Sequence, residues 1–480
     1  MSVELELAGR VVGLVRSAAG PAAQAEVLVE HTAEALTRFA NSAIHQNVAE
    51  ASTTVRLRLH LAGRSAAGAT TITTADGLRA LVDRTIEAVR LSPPDPTWPG
   101  LTRPTPLHVS AGHPGSGEHS GLDFGFDEAT ARADPAERAT RVRDFVRAAG
   151  GLETAGYCRT VYASAAFANS DGHAVEGRTA EAAMDGIARV DGADGVARLA
   201  SGRLGDIDGA TLGARAAAKA RAARSPVELP PGRYEVVLEP EAVADVLENL
   251  AGFGFNGKLV NQRQSFAELG AEQFDPSVTI VDDPLGSRGE PMPGLPFDGE
   301  GTPRRTLVLV RDGVTKAVTH DRRTAAEAGT ESTGHAWSHS REWGPVATSM
   351  RLEAAPAATE PVLPPAAEPG PTAESARPLV THVERGLLIT DLWYTRVLDP
   401  KSLVVTGLTR NGVWLVEDGE VTAAVGNMRF TQSYPQALGI GMVRGIGSES
   451  VLLPDRWWGV RFAAPAVHLA SWNLTGNASG

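Results

Sequence analysis

The spacing of apolar residues predicts a helix, two paired strands and a second helix at the start of the chain. Residues 1–20 carry apolar side chains at helical spacing and close with Gly20-Pro21. Residues 55–61 alternate strictly between apolar and polar side chains, which is the period of a half-buried strand, and the run 25–30 is the expected partner. Apolar positions within 78–89 predict the second helix. A mixed α and β arrangement therefore opens the chain.

Further elements are expected before a change of pattern near residue 225. Residues 93–128 are rich in Pro, Gly, Ser and His, which predicts a long surface loop. A helix is expected over 135–149, because Asp134 is suited to the N-cap and a proline follows at the first helical position. A β-hairpin over 160–178 and an Ala/Arg-rich helix over 212–224 complete this part.

The second half has a different pattern. Ser225-Pro226 marks a predicted boundary between a domain of residues 1–225 and a domain of residues 226–480. Beyond the boundary, short β-type runs dominate, with one helix at about 240–252 and a hairpin turn at Asp418-Gly419. The runs are Val278–Val281, Thr306–Val310, Leu403–Gly407, Gly412–Val416 and Val421–Val425. We predict an α+β fold, in which a mixed α/β N-terminal domain precedes a β-rich, mainly antiparallel C-terminal domain.

Composition and charge narrow the class of protein. The chain has 480 residues with 42% hydrophobic and 21% charged residues, as expected for a soluble globular protein with more than one core. Its net charge of −12 disfavours binding to nucleic acid. The acidic N-terminus and the lack of a long apolar run favour a cytoplasmic protein without a membrane partner. The single cysteine, Cys158, fits a reducing compartment, and the Pro/Ala-rich residues 354–378 predict a surface insertion.

Six short stretches are individually weak signals, but their order and spacing are specific when they are taken together. They are Thr37–Gln46 (TRFANSAIHQ), Ala168–Gly172 (ANSDG), Thr279–Pro284 (TIVDDP), Pro296–Pro303 (PFDGEGTP), His320–Ala325 (HDRRTA) and Glu331–His335 (ESTGH). In this respect the chain resembles the TldD/PmbA family, whose PmbA-type member is also called TldE. The resemblance extends over nearly the whole chain.

The resemblance implies a function in proteolysis. In this family the TldD-type subunit is a zinc metallopeptidase whose helix carries a His-Glu-x-x-x-His motif, and a cysteine near its C-terminus is a further ligand. It works in a cleft formed with a PmbA-type partner that lacks the motif, and together they cleave peptides and unfolded protein segments. The residue types suit this chemistry, since imidazole and thiolate bind zinc and zinc lowers the pKa of a bound water.

This chain departs from the metallopeptidase motif at every position. The two histidine positions fall on Glu248 and Phe253, and the glutamate position falls on Asn249. A phenyl ring cannot bind a metal, and an amide is a poor base at neutral pH. No cysteine lies near the C-terminus, because Cys158 is the only one in the chain. The resemblance therefore implies a PmbA/TldE-type pseudoenzyme without catalytic or metal-binding residues, with zinc expected in its partner.

The resulting hypothesis is a metal-free, non-catalytic partner of a TldD-type catalytic subunit. The complex would be a heterodimer or a larger assembly that binds and cleaves peptides or unfolded protein segments, and a homodimer is also considered for the chain on its own. The helix at about 240–252 would be the remnant of the metal site. The residues expected nearest the substrate cleft are Ser265, Phe266, Ser332, Thr333, Gly334 and His335.

Two other functions stay open at this point. One is an independent hydrolase with a relocated metal site, built from His320, His335, His339 and a carboxylate. The other is a regulatory or scaffold protein of the gyrase-modulator type, an older description of the family, although the acidic balance argues against direct contact with DNA. Asp282-Asp283-Pro284 is interpreted as the end of a strand and a turn, in preference to a carboxylate pair for acid–base work.

Overall fold

The computed structural model describes residues 2–107, 126–286, 292–356, 370–455 and 460–478. These residues form three β-sheets with helices packed on them. The predicted α+β class with a β-rich second half is confirmed. No helix in the described ranges is long and apolar enough to cross a membrane. Residues 108–125 of the predicted loop and 357–369 of the predicted insertion lie outside the described residues.

The first sheet is built from the first half of the chain. Its strands are β1 (Gln24–Ala40), β2 (Ala43–Leu61), β3 (Arg64–Thr70), β4 (Glu153–Asn169), β5 (Ala174–Val190) and β6 (Ala193–Ser201). They are antiparallel in the order β3-β2-β1-β4-β5-β6. Ala25 pairs with Leu59, so the predicted partnership of these two strands is confirmed. The predicted hairpin is also confirmed as β4 and β5.

Helices cover one face of the first sheet. They are α1 (Val3–Ala19), α2 (Ala75–Leu91), α3 (Glu128–Ala131), α4 (Pro135–Ala148) and α5 (Gly209–Ala222). One core lies between α1, α2 and β1, where Val11 and Leu81 pack with Val27. A second core joins α4 and α5 to the sheet through Phe145 and Met184. The helices predicted for this half are confirmed, including the capping box that Asp134 forms at the start of α4.

The second half of the chain supplies the other two sheets. Its strands are β7 (Gly232–Leu238), β8 (Ile280–Asp282), β9 (Leu307–Arg311), β10 (Val314–Thr315), β11 (Ser349–Leu352), β12 (Arg385–Asp399), β13 (Val404–Glu417), β14 (Glu420–Ala424), β15 (Met428–Ser433), β16 (Val443–Ile446), β17 (Val451–Leu453), β18 (Arg461–Ala464) and β19 (Val467–Asn477). Its helices are α6 (Pro240–Asn249), α7 (Gly257–Asn261), α8 (Arg322–Ala328), α9 (Ser340–Trp343), α10 (Arg377–Val380) and α11 (Tyr434–Ala437).

Pairing in these sheets is mainly antiparallel, as predicted. The second sheet has the order β10-β9-β8-β11-β18-β17, and the third has the order β12-β7-β19-β15-β13-β14. The exceptions are the parallel pairs β11 with β18 and β7 with β12. Because β12 also pairs with β13, strands β12, β7, β19, β15 and β13 close into a ring. The largest apolar core of the described residues lies between this ring, the second sheet and α6.

Two predicted boundaries are wrong in the second half. The runs 403–407 and 412–416 belong to one strand, β13, because Asn411 and Gly412 interrupt the apolar pattern while the chain stays in the sheet. The helix predicted at 240–252 ends earlier, at Asn249, and a π-type turn follows it. The hairpin turn at Asp418-Gly419 is confirmed, and both residues have positive φ. The division of the chain into domains at residue 225 stays a prediction.

Buried ion pairs join the first half of the molecule to the second. Lys219 on α5 contacts Glu239, the residue before α6, and both side chains are fully buried. Arg198 on β6 contacts Asp391 on β12 at 2.7 Å. Glu181 on β5 contacts Arg461 at the start of β18, and Arg215 contacts Glu241 at 3.3 Å. Charges removed from water in this way are stable only as pairs, so these contacts fix the relative position of the elements that carry them.

We expect Lys219→Met to destabilise the protein strongly, because it leaves the Glu239 carboxylate buried without its partner. The expected loss in the free energy of unfolding is about 3–5 kcal/mol, measured by urea denaturation. Arg79→Met is the matched control, because Arg79 pairs with Asp76 on the exposed side of α2 and such pairs contribute little. Equal losses for the two variants would contradict the structural role of the buried pair.

Candidate functional site

Helix α6 lies in the interior of the second half. Every residue of α6 except Glu248 is buried, which is typical of a helix packed on all sides. It follows β7 directly, with Pro240 at the first helical position. It continues into the π-type turn Leu250–Gly254, where the Phe255 N–H donates to the Leu250 carbonyl at 2.8 Å. Turns of this kind are frequent at functional sites, so this end of the helix is a candidate functional site.

The carboxylate of Asp245 is the centre of a buried hydrogen-bond network on α6. It accepts hydrogen bonds from the Tyr434 hydroxyl at 2.8 Å and from the Thr395 hydroxyl at 2.9 Å. The amide of Asn249, one turn later, donates to the Asp245 carbonyl at 2.9 Å. Burial raises the pKa of Tyr434 well above its usual value, and the Asp245 carboxylate adds to the shift. The tyrosine therefore stays neutral and keeps donating to the Asp245 carboxylate.

Glu248 and Phe253, the other two positions of the motif, differ in their surroundings. Glu248 is partly exposed, whereas Phe253 is partly buried and packs against the large apolar core. The side chain at 249 is occupied by its bonds to Asp245, and an amide nitrogen does not accept a proton. These three side chains therefore provide one carboxylate, one amide and one phenyl ring, a set that does not fit a zinc ion.

A second cluster of polar side chains surrounds Asp282 at the end of β8. His335 Nε2 lies 3.0 Å from Asp282 Oδ2, and the Ser349 N–H donates to Asp282 Oδ1 at 2.7 Å. His335 Nδ1 lies 2.8 Å from the Thr333 hydroxyl, which accepts the His320 N–H at 2.7 Å. Burial alone would raise the pKa of Asp282, but His335 and the bond from Ser349 outweigh it and lower the pKa.

The order carboxylate, histidine and hydroxyl resembles a hydrolase relay, yet its surroundings favour a structural role. Asp282 is fully buried and His335 is almost so. The Thr333 hydroxyl contacts both polar groups of the His320 backbone. It accepts from the N–H and lies 3.1 Å from the carbonyl oxygen. A nucleophile must be free to approach substrate, and this hydroxyl is engaged. The interpretation of 282–284 as a strand end followed by a turn is confirmed.

The structure brings only part of the predicted cleft set together. Ser332, Thr333 and His335 lie close to His320 in the cluster around Asp282. The Ser332 hydroxyl lies 3.2 Å from the His320 carbonyl. Ser265 instead donates to the Gly254 carbonyl at the end of the π-type turn, and the Phe266 ring packs on Phe255. No hydrogen bond between these two groups occurs within the described ranges. The assignment of the six residues to a substrate cleft therefore stays a prediction.

Comparison with known proteins identifies the relationship. Residues 231–476, just over half of the chain, match the family model described as the PmbA/TldA metallopeptidase C-terminal domain. The chain belongs to the TldD/PmbA family. Among curated relatives, a metalloprotease of Methanothermobacter thermautotrophicus is 32% identical over 113 residues, and a metalloprotease TldD homolog of Haemophilus influenzae is 29% identical over 133 residues. These matches span only 23% and 27% of the two relatives.

The similarity to solved structures is much more extensive. The crystal structure of TldE from Thermococcus kodakarensis matches with a TM-score of 0.79. The match covers 97% of this chain and 99% of that one, at 17% sequence identity. At this identity the likeness shows a shared fold. The fold of a TldD/PmbA family member is therefore present along nearly the whole chain.

Possible metal ligands do not come together as a site in the part of the chain that the structure describes. No group of three or more His, Cys, Asp or Glu side chains that could hold a metal ion occurs in the described parts of the chain. His339 is exposed and precedes α9, with its ring packed against Trp337, so it does not join His320 and His335. Burial raises the pKa of the Cys158 thiol to about 12, and this residue lies in the core of the first half.

Sequence reasoning missed Asp245 and the two hydroxyls that bond to it. Asp245 precedes Asn249 by one helical turn, a spacing that is visible in the sequence once the helix is accepted. Tyr434 and Thr395 are separated from Asp245 by 189 and 150 residues, and no local pattern connects them. The network that occupies this end of α6 could be found only from the fold.

We expect Tyr434→Phe to destabilise the protein, because it removes a donor from the buried Asp245 carboxylate. The expected loss in the free energy of unfolding is about 1.5–3 kcal/mol, measured by urea denaturation. Tyr234→Phe is the matched control, since the Tyr234 hydroxyl donates to the Pro230 carbonyl at an exposed position. The importance of the network would be contradicted if the control lost as much stability as Tyr434→Phe.

Proposed function

We propose that this chain is the metal-free, non-catalytic partner subunit of a TldD-type zinc metallopeptidase complex that cleaves peptides or unfolded protein segments. The observation that supports it most is the state of α6. The helix keeps its place in the core, but Asn249 is bonded to Asp245 and Phe253 packs on apolar side chains. Membership of a metallopeptidase family supports the link to proteolysis. Zinc and the catalytic base would come from the partner.

The proposed contribution of this chain is to complete the substrate cleft. Ser265, Phe266 and the stretch 332–335 are the proposed lining. Ser265 donates to Gly254 in the segment that follows α6, and Ser332 lies beside His320. Extended peptides are commonly held by backbone hydrogen bonds to a sheet edge, which gives affinity with little sequence preference. A cytoplasmic location is part of the proposal, and the single buried cysteine is consistent with it. Homodimers of the isolated chain are included as a state that the partner would replace.

The other two functions have less support. A relocated metal site would need His320, His335 and His339 to converge, and His339 points to a different place, against Trp337. A regulatory or scaffold protein of the gyrase-modulator type would need a surface for a DNA-processing enzyme, and the net charge of −12 does not favour DNA itself. The partner-subunit proposal is therefore the best supported of the three.

The test is peptide hydrolysis by this chain and by a TldD-type paralogue from the same source, each alone and mixed. We expect activity in the mixture and none from this chain alone. Asn249→Ala in this chain should leave the activity of the mixture within about twofold, whereas loss of a general base would cost about 100-fold or more. Activity of this chain alone, or a 100-fold loss with Asn249→Ala, would contradict the proposal.

A further inference from the structure

A cavity of about 600 Å³ opens where the first half of the chain meets α8. Its walls come from residues 99–105, residues 302–305, α8 and the segment 330–332. None of the residues of the α6 network is in its lining, and its one residue shared with the proposed cleft is Ser332. A cavity of this size suits a small molecule or the end of a peptide.

Two arginines give this cavity an uncompensated positive charge. Arg103 and Arg305 both line it, are exposed, and have no carboxylate partner within the described ranges. The third arginine in the wall, Arg322, is already paired with Glu26 and Glu300. Glu331 is the acidic residue in the lining, so one positive charge is in excess. Two unpaired arginines at one cavity are notable in a chain with a net charge of −12.

The walls of the cavity are fixed before any ligand arrives. The Thr102 hydroxyl donates to the Glu300 carbonyl at 2.7 Å, and the Asn169 amide donates to the Thr102 carbonyl at 2.7 Å. His173 Nε2 lies 2.7 Å from the Gly301 carbonyl. The Thr302 hydroxyl is buried in the wall without a hydrogen-bond partner among the described residues. Preorganised polar groups of this kind reduce the entropy cost of binding.

The lining also has hydroxyl groups, from Thr105, Thr330 and Ser332, and an apolar part. The apolar part consists of Pro99, Leu101, Pro303, Ala325 and Ala326. A bare inorganic oxyanion would use the arginines and leave the accessible apolar side chains, Pro99, Leu101 and Ala326, in contact with water. A carboxylate attached to an apolar group would use both parts of the lining. The combination therefore favours an organic acid over free phosphate.

We propose that this cavity binds the C-terminal carboxylate of a peptide whose last side chain is apolar. Arg103 and Arg305 bind the carboxylate through charge-assisted hydrogen bonds. The accessible apolar lining, Pro99, Leu101 and Ala326, contacts the last side chain. The choice of a peptide, in place of another organic acid, rests on the proposed function. The chain would then hold its substrate at two places, the cleft beside α6 and this anchor for the peptide end.

The test is calorimetric binding to this chain alone, which requires neither zinc nor a partner subunit. The probes are the tripeptide acetyl-Ala-Ala-Leu with a free carboxylate, the same peptide as its C-terminal amide, and inorganic phosphate. We expect the free acid to bind about tenfold more tightly than the amide, the factor that one charge-assisted hydrogen bond supplies. Arg103→Gln and Arg305→Gln should each weaken binding of the free acid about tenfold.

Arg311→Gln is the matched control, because Arg311 is an exposed arginine of β9 outside the cavity. It should leave binding unchanged. Equal binding of acid and amide, binding that both cavity variants leave unchanged, or tighter binding of phosphate than of the free acid would overturn the proposal. These outcomes are independent of the hydrolysis experiment, so a failure here is distinguishable from a failure of the partner-subunit proposal.

Discussion

Buried charges, held in pairs, fix the second half of the molecule against the first sheet. Lys219 and Glu239 meet immediately before α6, and Arg198 and Asp391 meet on β12. Removing such charges from water is costly, so each is retained only because its partner is close. The elements that carry the candidate site therefore have one position relative to the first sheet. Both α6 and the cavity beside α8 depend on this constraint.

A buried hydrogen-bond network holds the end of α6 in position. In a metal site, coordination itself adds stability and orients the ligands. Here the Asp245 carboxylate has that structural role, with the Tyr434 and Thr395 hydroxyls bonded to it. These two hydroxyls come from β12 and from the start of α11, so the network joins α6 to two other elements. In this TldD/PmbA family member, the side chains at 248, 249 and 253 on and after α6 are a carboxylate, an amide and a phenyl ring, which do not suit zinc.

Much of the fold could be predicted from the sequence, because periodicity and caps are local signals. The strict alternation of 55–61 predicted both a strand and its partner, and the Asp134 cap marked the start of α4. The single strand β13 was missed because Asn411 and Gly412 interrupt its apolar pattern. Propensity is overridden there by pairing with neighbouring strands.

The candidate site was predictable only in part. The substitutions at 248, 249 and 253 are visible in the sequence once the family motif is laid on it. The contact between Asp245 and Tyr434 depends on the closed ring of strands, and no local sequence pattern predicts it. The same is true of the cavity, whose arginines at 103 and 305 are brought together by loops from the two halves. Such sites depend on topology, which periodicity does not reveal.

The central claim is that the end of α6 does not hold a metal, and zinc content tests it most directly. The untagged chain would be purified without chelator, incubated with excess zinc, dialysed and analysed by atomic absorption. We predict far less than one zinc per chain, since the α6 side chains at 248, 249 and 253 do not form a ligand set. One tightly held zinc per chain would contradict the account and assign the chemistry to this subunit.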